Sequence, residues 1–183
     1  MRVEAVPPAT TPESPLPVAR ATRRWHVARD TAVPGDVARI LGTLPEWFGI
    51  PESTAEYVEK ARTAETWTAR AGGDPAGDVR GVLLVDRPFA WVAEVHLIAV
   101  DRQARGGGAG RAMLTALEHD ARDRAVRLLL VKTLGPSHPD AGYAQTRRFY
   151  EAFGFLPLAE TDEWGADNPC LFMVKPLDAA VPR

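Results

Sequence analysis

Between residues 90 and 124 the hydrophobic period of the chain changes abruptly, and the change falls on four glycines within five residues. Before it, AWVAEVHLIAV (Ala90 to Val100) has strand character, with Glu94 and His96 alternating with Val95 and Leu97. After it, apolar residues recur at Met113, Leu114, Leu117 and Ala121, the stripe of a helix running from about Gly110 to Arg124. A strand that ends in glycines and restarts at once as a helix predicts a tight turn at a helix start. Such a start carries unpaired backbone N–H groups and the positive end of the helix dipole, which attract phosphate. Glycines let the backbone approach a ligand, because no Cβ intervenes and positive φ is open. The run Arg105-Gly106-Gly107-Gly108-Ala109-Gly110, with Arg111 after it, therefore reads as an anion seat. A slack connector fits less well, since the glycines stop where the helical stripe begins.

The phosphate belongs to neither of the usual nucleotide turns. A P-loop needs Gly-Lys-Ser/Thr after its last glycine, and here Arg111-Ala112 follows Gly110. A dinucleotide turn needs a third glycine where Arg111 stands, followed in a βαβ unit by an acidic residue about 20 positions on.

The rest of the chain alternates strands and helices. RRWHVARD (Arg23 to Asp30) reads as a strand. Asp36 can cap a helix bearing Val37, Ile40, Leu41 and Leu44 on one face. Ser53 and Glu56 form a capping box that opens a second helix to about Ala64. TWTAR and VRGVLLVDR, separated by the turn-rich AGGDPAGD, suggest a hairpin with a long loop. VRLLLVKTL is nearly all apolar, hence a central strand buried on both faces. A helix from about Tyr143 to Phe153 places Phe149, Ala152 and Phe153 on the core and ends at Gly154. FLPLAET and CLFMVKPL supply the last strands, giving βααβββ then αβαββ, an α/β (α+β) order with a mixed sheet.

With 183 residues, 45% hydrophobic and 25% charged, one domain with one buried core is expected. Residues 23–178 form it, after a Pro-rich, disordered leader at 1–22 that has no apolar stretch of the secretory kind. A net charge of -2 argues against nucleic acid as an obligatory partner. No run reaches the roughly 18 apolar residues of a membrane span, so no membrane partner is expected. The single cysteine, Cys170, excludes an intrachain disulfide framework and fits a cytoplasmic protein, with the thiol in an apolar run.

VDRQARGGGAGRAML resembles the pyrophosphate loop of the GNAT family of N-acetyltransferases, Gln/Arg-x-x-Gly-x-Gly/Ala, with Arg105, Gly108 and Gly110 on its three places. TRRFYEAFGF (Thr146 to Phe155) resembles the family's later motif, a helix ending in Phe-Tyr-Glu and followed by Gly-Phe. The two lie about 40 residues apart with one helix and one apolar strand between them, as in the family, and the likeness covers about Arg23 to Lys175. It implies the GNAT fold, a mostly antiparallel sheet of six to seven strands with helices on both faces and a V-shaped splay between the fourth and fifth strands. It also implies acetyl-coenzyme A as co-substrate, its pyrophosphate on residues Arg105 to Arg111. The pantetheine would lie along the backbone of Leu97, Ile98, Ala99 and Val100, beside Phe149. One departure is Tyr143, seven residues before Tyr150, where members often carry asparagine.

Acyl transfer to an amine needs a base for the amine, a donor for the carbonyl oxygen and an acid for the thiolate. Tyr150 matches the tyrosine that often protonates the thiolate in this family. Glu94 matches the general base of the histone-acetyltransferase branch, and His96 on the same sheet face can tune it or act in its place. Trp47 and Phe48, between the first two helices, and Trp164 in the late loop are expected to line the acceptor pocket. Glu46, Glu52, Asp162 and Glu163 near them would suit a cationic amine. His26, His119 and His138 show no ligand spacing, so no metal is expected. The expectation is an acetyl-coenzyme A-dependent transferase that acetylates a small-molecule primary amine by direct attack in a ternary complex. A non-catalytic acyl-coenzyme A-binding module and a protein or peptide acetyltransferase stay open, as do a longer acyl donor and a homodimer.

Overall fold

The computed structural model describes residues 24–177 with the exception of residue 32, so the expected leader lies outside the described residues. The strand-forming runs join one sheet: β1 (Trp25–Asp30), β2 (Glu65–Ala71), β3 (Val79–Phe89), β4 (Val92–Val100), β5 (Leu128–Leu134), β6 (Leu156–Thr161) and β7 (Cys170–Pro176). Their order is β1-β2-β3-β4-β5-β7-β6. Every neighbouring pair is antiparallel except β4 with β5, which is parallel. Parallel neighbours need a crossover, and α3 (Ala109–Asp123) supplies it. The expected fold, a mixed, mostly antiparallel sheet with helices on both faces, is the one observed.

The helices divide two cores between them. On one face Met113, Leu114, Leu117 and Ala121 of α3 pack against Leu83, Val85, Ala93, Val95, Leu129 and Val131. Tyr150 of α4 (Ala141–Ala152) and the following Phe153 and Phe155 join that core. On the other face α1 (Pro34–Gly42) buries Val37, Ile40 and Leu41 against Val82, Leu84, Leu97 and Ala99. Each fully buried leucine or methionine of α3 contributes about 1.5–3 kcal/mol, and Leu117→Ala would cost about 2–5 kcal/mol.

β4 changes face partway along. Val85 pairs with Val95 but Leu84 pairs with Leu97, leaving His96 as an extra residue opposite the joint. This bulge turns the strand over, so Ala93 and Val95 bury under α3 while Leu97 and Ala99 bury under α1. The pairing of β4 with β5 covers Val92 to Val95 against Leu128 to Val131 and goes no further, although both strands continue. The expected splay therefore opens where the bulge lies.

Local details correct the sequence reading. Neither Asp36 nor Ser53 caps its helix. Prolines open both instead, Pro34 in α1 and Pro51 in α2 (Pro51–Lys60), because a proline at the first helical position loses no needed N–H and its φ is already helical. Ala152 is exposed, since the inward stripe of α4 runs through Tyr143, Thr146, Phe149 and Tyr150. β5 is buried on one face only. Leu128, Leu130 and Lys132 are half-buried because α1 packs on β3 and β4 and leaves the corresponding face of β5 open.

Candidate active site

The glycine loop makes an anion seat from main chain. Asp101 is buried and accepts from the Gln103 amide (2.9 Å), closing a single 3-10 turn over Arg102–Ala104. Gly106 and Gly108 have positive φ (72° and 88°), which aims the chain into α3 with Gly108 at its N-cap. The Ala112 amide donates to Gly108 O (2.9 Å), completing the first turn. The amides of Gly108, Ala109, Gly110 and Arg111 make no hydrogen bond among the described residues, the four free donors of a helix start. Gly110 is small for a packing reason: a Cβ there would meet the Phe149 ring at 3.1 Å.

That seat is one end of a cavity of about 510 Å³, within the size range of small-molecule sites. The cavity runs through the gap between β4 and β5. Of the expected coenzyme contacts, Leu97, Ile98, Ala99, Val100, Arg105, Gly106, Gly108, Ala109, Gly110, Arg111, Tyr143 and Phe149 line it. Gly107 does not, because its carbonyl turns away to accept from Trp25 Nε1 (2.7 Å). The Asp101 amide donates to Arg80 O on β3 (2.8 Å). Amides alternate sides along a strand, so those of Val100 and Ile98 face the gap, where β5 gives them no partner.

Side chains from scattered elements build the other end. All three tyrosines of the chain, Tyr57, Tyr143 and Tyr150, line the cavity. Burial raises the pKa of each, and most strongly that of Tyr150, which is 4% exposed. These hydroxyls therefore keep their protons through the neutral range. His96, put out of register by the bulge, lines the cavity with its ring 5.7 Å from that of Tyr57. Its Nδ1 lies 3.2 Å from Asp86 Oδ2, and Lys60 Nζ holds the other oxygen of Asp86 at 2.8 Å. A carboxylate at Nδ1 favours the tautomer with its proton there, leaving Nε2 as acceptor.

The remaining expected residues are distributed unevenly. Glu94 pairs in register with Leu130 below the gap and does not line the cavity. Phe48 and Trp164 do line it, Phe48 edge-on to Tyr57 with ring centres 5.8 Å apart. Trp47 also lines it, with the Arg105 guanidinium 4.2 Å over its ring and Gly142 of α4 against its other edge, so it bridges the seat to α4. The acids expected near the acceptor are not among the lining residues: Glu46 pairs with Arg102, and Glu163 with Lys132. Sequence reasoning missed Tyr57, Asp86 and Lys132. Tyr57 looked like one more residue of a surface helix, and Asp86 reaches His96 only through the β3–β4 pairing. Lys132, the one charge in an apolar strand, was the signal available.

The sequence pattern of the acetyltransferase (GNAT) family matches residues 37–155. The chain is 28% identical to a mycothiol acetyltransferase of Beutenbergia cavernae, over 80% of this chain and 59% of that protein. It thus spans less than two thirds of that relative's length. It is 27% identical to an IAA acetyltransferase of Azospirillum brasilense, over 82% of this chain and 97% of the other. Among solved structures, a GNAT-family protein of Desulfovibrio desulfuricans superposes with a TM-score of 0.71 at 23% identity, over 86% of this chain and 100% of the other. With the glycine seat, the bulged fourth strand and the splay already in place, the chain belongs to the acetyltransferase (GNAT) family.

Proposed function

We propose that this chain transfers the acetyl group of acetyl-coenzyme A to a primary amine of a small molecule, directly, with both substrates bound together. The observation that carries this reading is the continuity of one cavity. It runs from the free amides at the start of α3, through the β4–β5 gap, to His96 and Tyr150. The names of the two relatives, mycothiol acetyltransferase and IAA acetyltransferase, support acetyl transfer as the reaction.

Acetyl-coenzyme A supplies the acyl group already activated as a thioester. The seat fits its pyrophosphate: it offers four unused N–H donors, and Arg105 and Arg111 line the cavity beside them. The amides of Ile98 and Val100 hold the extended chain of the co-substrate and polarise its carbonyl. His96 Nε2 takes the proton of the attacking amine, and Asp86 fixes the ring and steadies its charge. Tyr150 keeps its proton because it is buried, and gives it to the departing sulfur. Glu94, outside the cavity lining, is assigned no proton transfer. Cys170 is buried, and burial raises its thiol pKa, so it is poorly suited to relay the acyl group, which favours direct attack.

The test is release of free thiol from acetyl-coenzyme A across a panel of amines, with initial rates measured while both substrates vary. Intersecting rate patterns are expected. Tight coenzyme A binding with no thiol release across the panel would overturn the transferase reading in favour of a binding module. Parallel patterns would overturn direct transfer alone.

A further inference from the structure

We propose that the acceptor carries a carboxylate a few atoms from its amine, an amino acid with an apolar or aromatic side chain, and that Lys132 binds that carboxylate. The inference rests on the transferase reading and adds to it the chemical class of the acceptor.

The argument starts from register. Val95 and Val131 are the last paired positions of β4 and β5, and His96 and Lys132 are the next residue on each strand. Adjacent strands lie about 4.8 Å apart where they pair, so the two side chains stand on opposite lips of the gap, at its narrow end. Both belong to the α1–α2 side of the sheet. His96 meets Tyr57 of α2, and Lys132 lies over the Phe172 ring at 5.0 Å, opposite in direction to the core residue Val131. An amine at His96 therefore has an ammonium group across the gap from it, and an α-amino acid places its two charged groups at about that separation.

Charge along the cavity points the same way. Among the described residues, those lining it include Arg105, Arg111 and Lys132 and no aspartate or glutamate. The two arginines lie by the glycine turn, which leaves Lys132, paired with Glu163 from outside the lining, as the charged residue lining the acceptor end. The rest of that end is aromatic: Tyr57 beside His96, Phe48 beside Tyr57, and Trp164, next in sequence to Glu163. No carboxylate lines this end to hold the several amines of a polycation, whereas an amino acid offers an apolar body to the aromatic wall and a carboxylate to Lys132.

Lys132 is already disposed to take a carboxylate. Its Nζ donates to Glu163 Oε1 at 2.7 Å, and Glu163 belongs to the exposed β6–β7 loop next to Trp164. That hydrogen bond, opposed by burial and aided by the charge of Glu94, keeps the ammonium above its ordinary pKa, so it is charged at any working pH. The ammonium has three donors, and the hydrogen bond to Glu163 uses one. An acceptor carboxylate can join or replace Glu163 there, and Trp164 is positioned to close over it.

The experiment compares matched pairs with acetyl-coenzyme A: phenylalanine against phenethylamine, tryptophan against tryptamine, leucine against isoamylamine, with spermidine and kanamycin as polycations. For the wild-type protein, kcat/KM is expected to favour each amino acid over its decarboxylated partner by about tenfold or more, the worth of a charge-assisted hydrogen bond. Lys132→Met should abolish that preference by raising KM for the amino acids alone, and Glu163→Gln should lower it. The amine partners serve as internal controls, since a folding defect would slow both members of a pair alike. The proposal is overturned if the decarboxylated amines or the polycations are the better acceptors. It is equally overturned if Lys132→Met slows both members of a pair equally, or if Glu163→Gln raises KM for the amino acids. Thiol release with no compound in the panel would remove the transferase reading itself, and this inference with it.

Discussion

The two ends of the cavity are built from different material. The phosphate end is main chain: a run of consecutive residues whose amides are free because a helix begins there, with Gly108 at φ 88° to make the corner. The acceptor end is side chain: Tyr57 from α2, His96 from β4, Lys132 from β5, Tyr150 from α4 and Trp164 from the β6–β7 loop. A seat made of backbone needs the right local conformation and little else. A pocket made of side chains needs five elements to arrive in register. On the proposed function the first end binds and the second reacts, so substitutions at the two ends should fail in different kinetic parameters.

The sharpest separation is expected at Tyr150. Tyr150→Phe keeps the ring that packs on Phe155 with centres 5.5 Å apart and removes only the proton donor. Turnover should fall about 10²–10⁴-fold, the usual worth of a positioned acid, while KM for acetyl-coenzyme A stays near its original value. Burial raises the pKa of this hydroxyl, so Tyr150 remains protonated as pH rises through the ordinary tyrosine range. The wild-type kcat should accordingly show no alkaline loss from this group up to about pH 10. A loss of coenzyme affinity matching the loss of turnover would break the contrast between the two ends.

Next in size is the contrast between His96 and Glu94. His96→Gln should lower turnover about 100-fold or more. Glu94→Gln, outside the lining, should leave turnover close to that of the parent. The reverse result would return the base to Glu94. Asp86→Asn is the finer probe: it should lower turnover by less than His96→Gln, because the ring keeps Nε2 but loses the carboxylate that orients it.

This division also explains what could be read from the sequence. The glycine turn and the helix start after it were legible because everything that makes them is contiguous: the glycines, the change of period and the apolar stripe of α3. The succession of strands and helices along the chain followed from the same periodicity. The bulge at His96 was not legible, since it exists only in the pairing of β4 with β3, and without it the alternation of Val95 and Leu97 reads as an ordinary strand. Asp86 becomes the partner of His96, and Lys60 that of Asp86, only once β3, β4 and α2 are assembled. Lys132 sat in a run so apolar that burial on both faces was the natural expectation, yet the open face of β5 gives that lysine its place. The helix starts were misread for a local reason: Asp36 and Ser53 are good caps, but Pro34 and Pro51 precede them and set the first turn.

A smaller effect, on binding rather than rate, is expected at Gly108. Valine there must adopt a positive φ that costs a non-glycine residue about 1–2 kcal/mol, and more when it is β-branched. If Gly108→Val turns the first amides of α3 away from the ligand, coenzyme A should bind about tenfold more weakly by calorimetry, a loss of about 1.4 kcal/mol. The turnover of the saturated enzyme should change much less. An intact affinity would mean that the seat is not where the phosphate lies, and the backbone half of the comparison would fall.

The smallest effect calibrates the others, because it touches neither end. Lys175 of β7 donates to Glu118 Oε2 of α3 at 2.7 Å and to Phe153 O, just past α4, at 2.8 Å, tying together the two helices that flank the seat. Burial raises the Glu118 pKa, but the hydrogen bonds and charges of Lys175 and Arg122 together outweigh it, and the net shift is downward. A carboxyl whose folded pKa lies below its unfolded value contributes stability above the unfolded pKa and loses it as pH falls through the folded one. Lys175→Met should therefore lower Tm near neutral pH, by the equivalent of about 1–3 kcal/mol for a hydrogen bond to a charged group. The gap between variant and parent should narrow as the solution is acidified below the ordinary carboxylate range. Coenzyme affinity and the Tyr150 and His96 effects should be unchanged in this background. If they are not, the phosphate seat depends on how α3 and α4 are held together, and its independence from the rest of the fold is smaller than its contiguous sequence suggests.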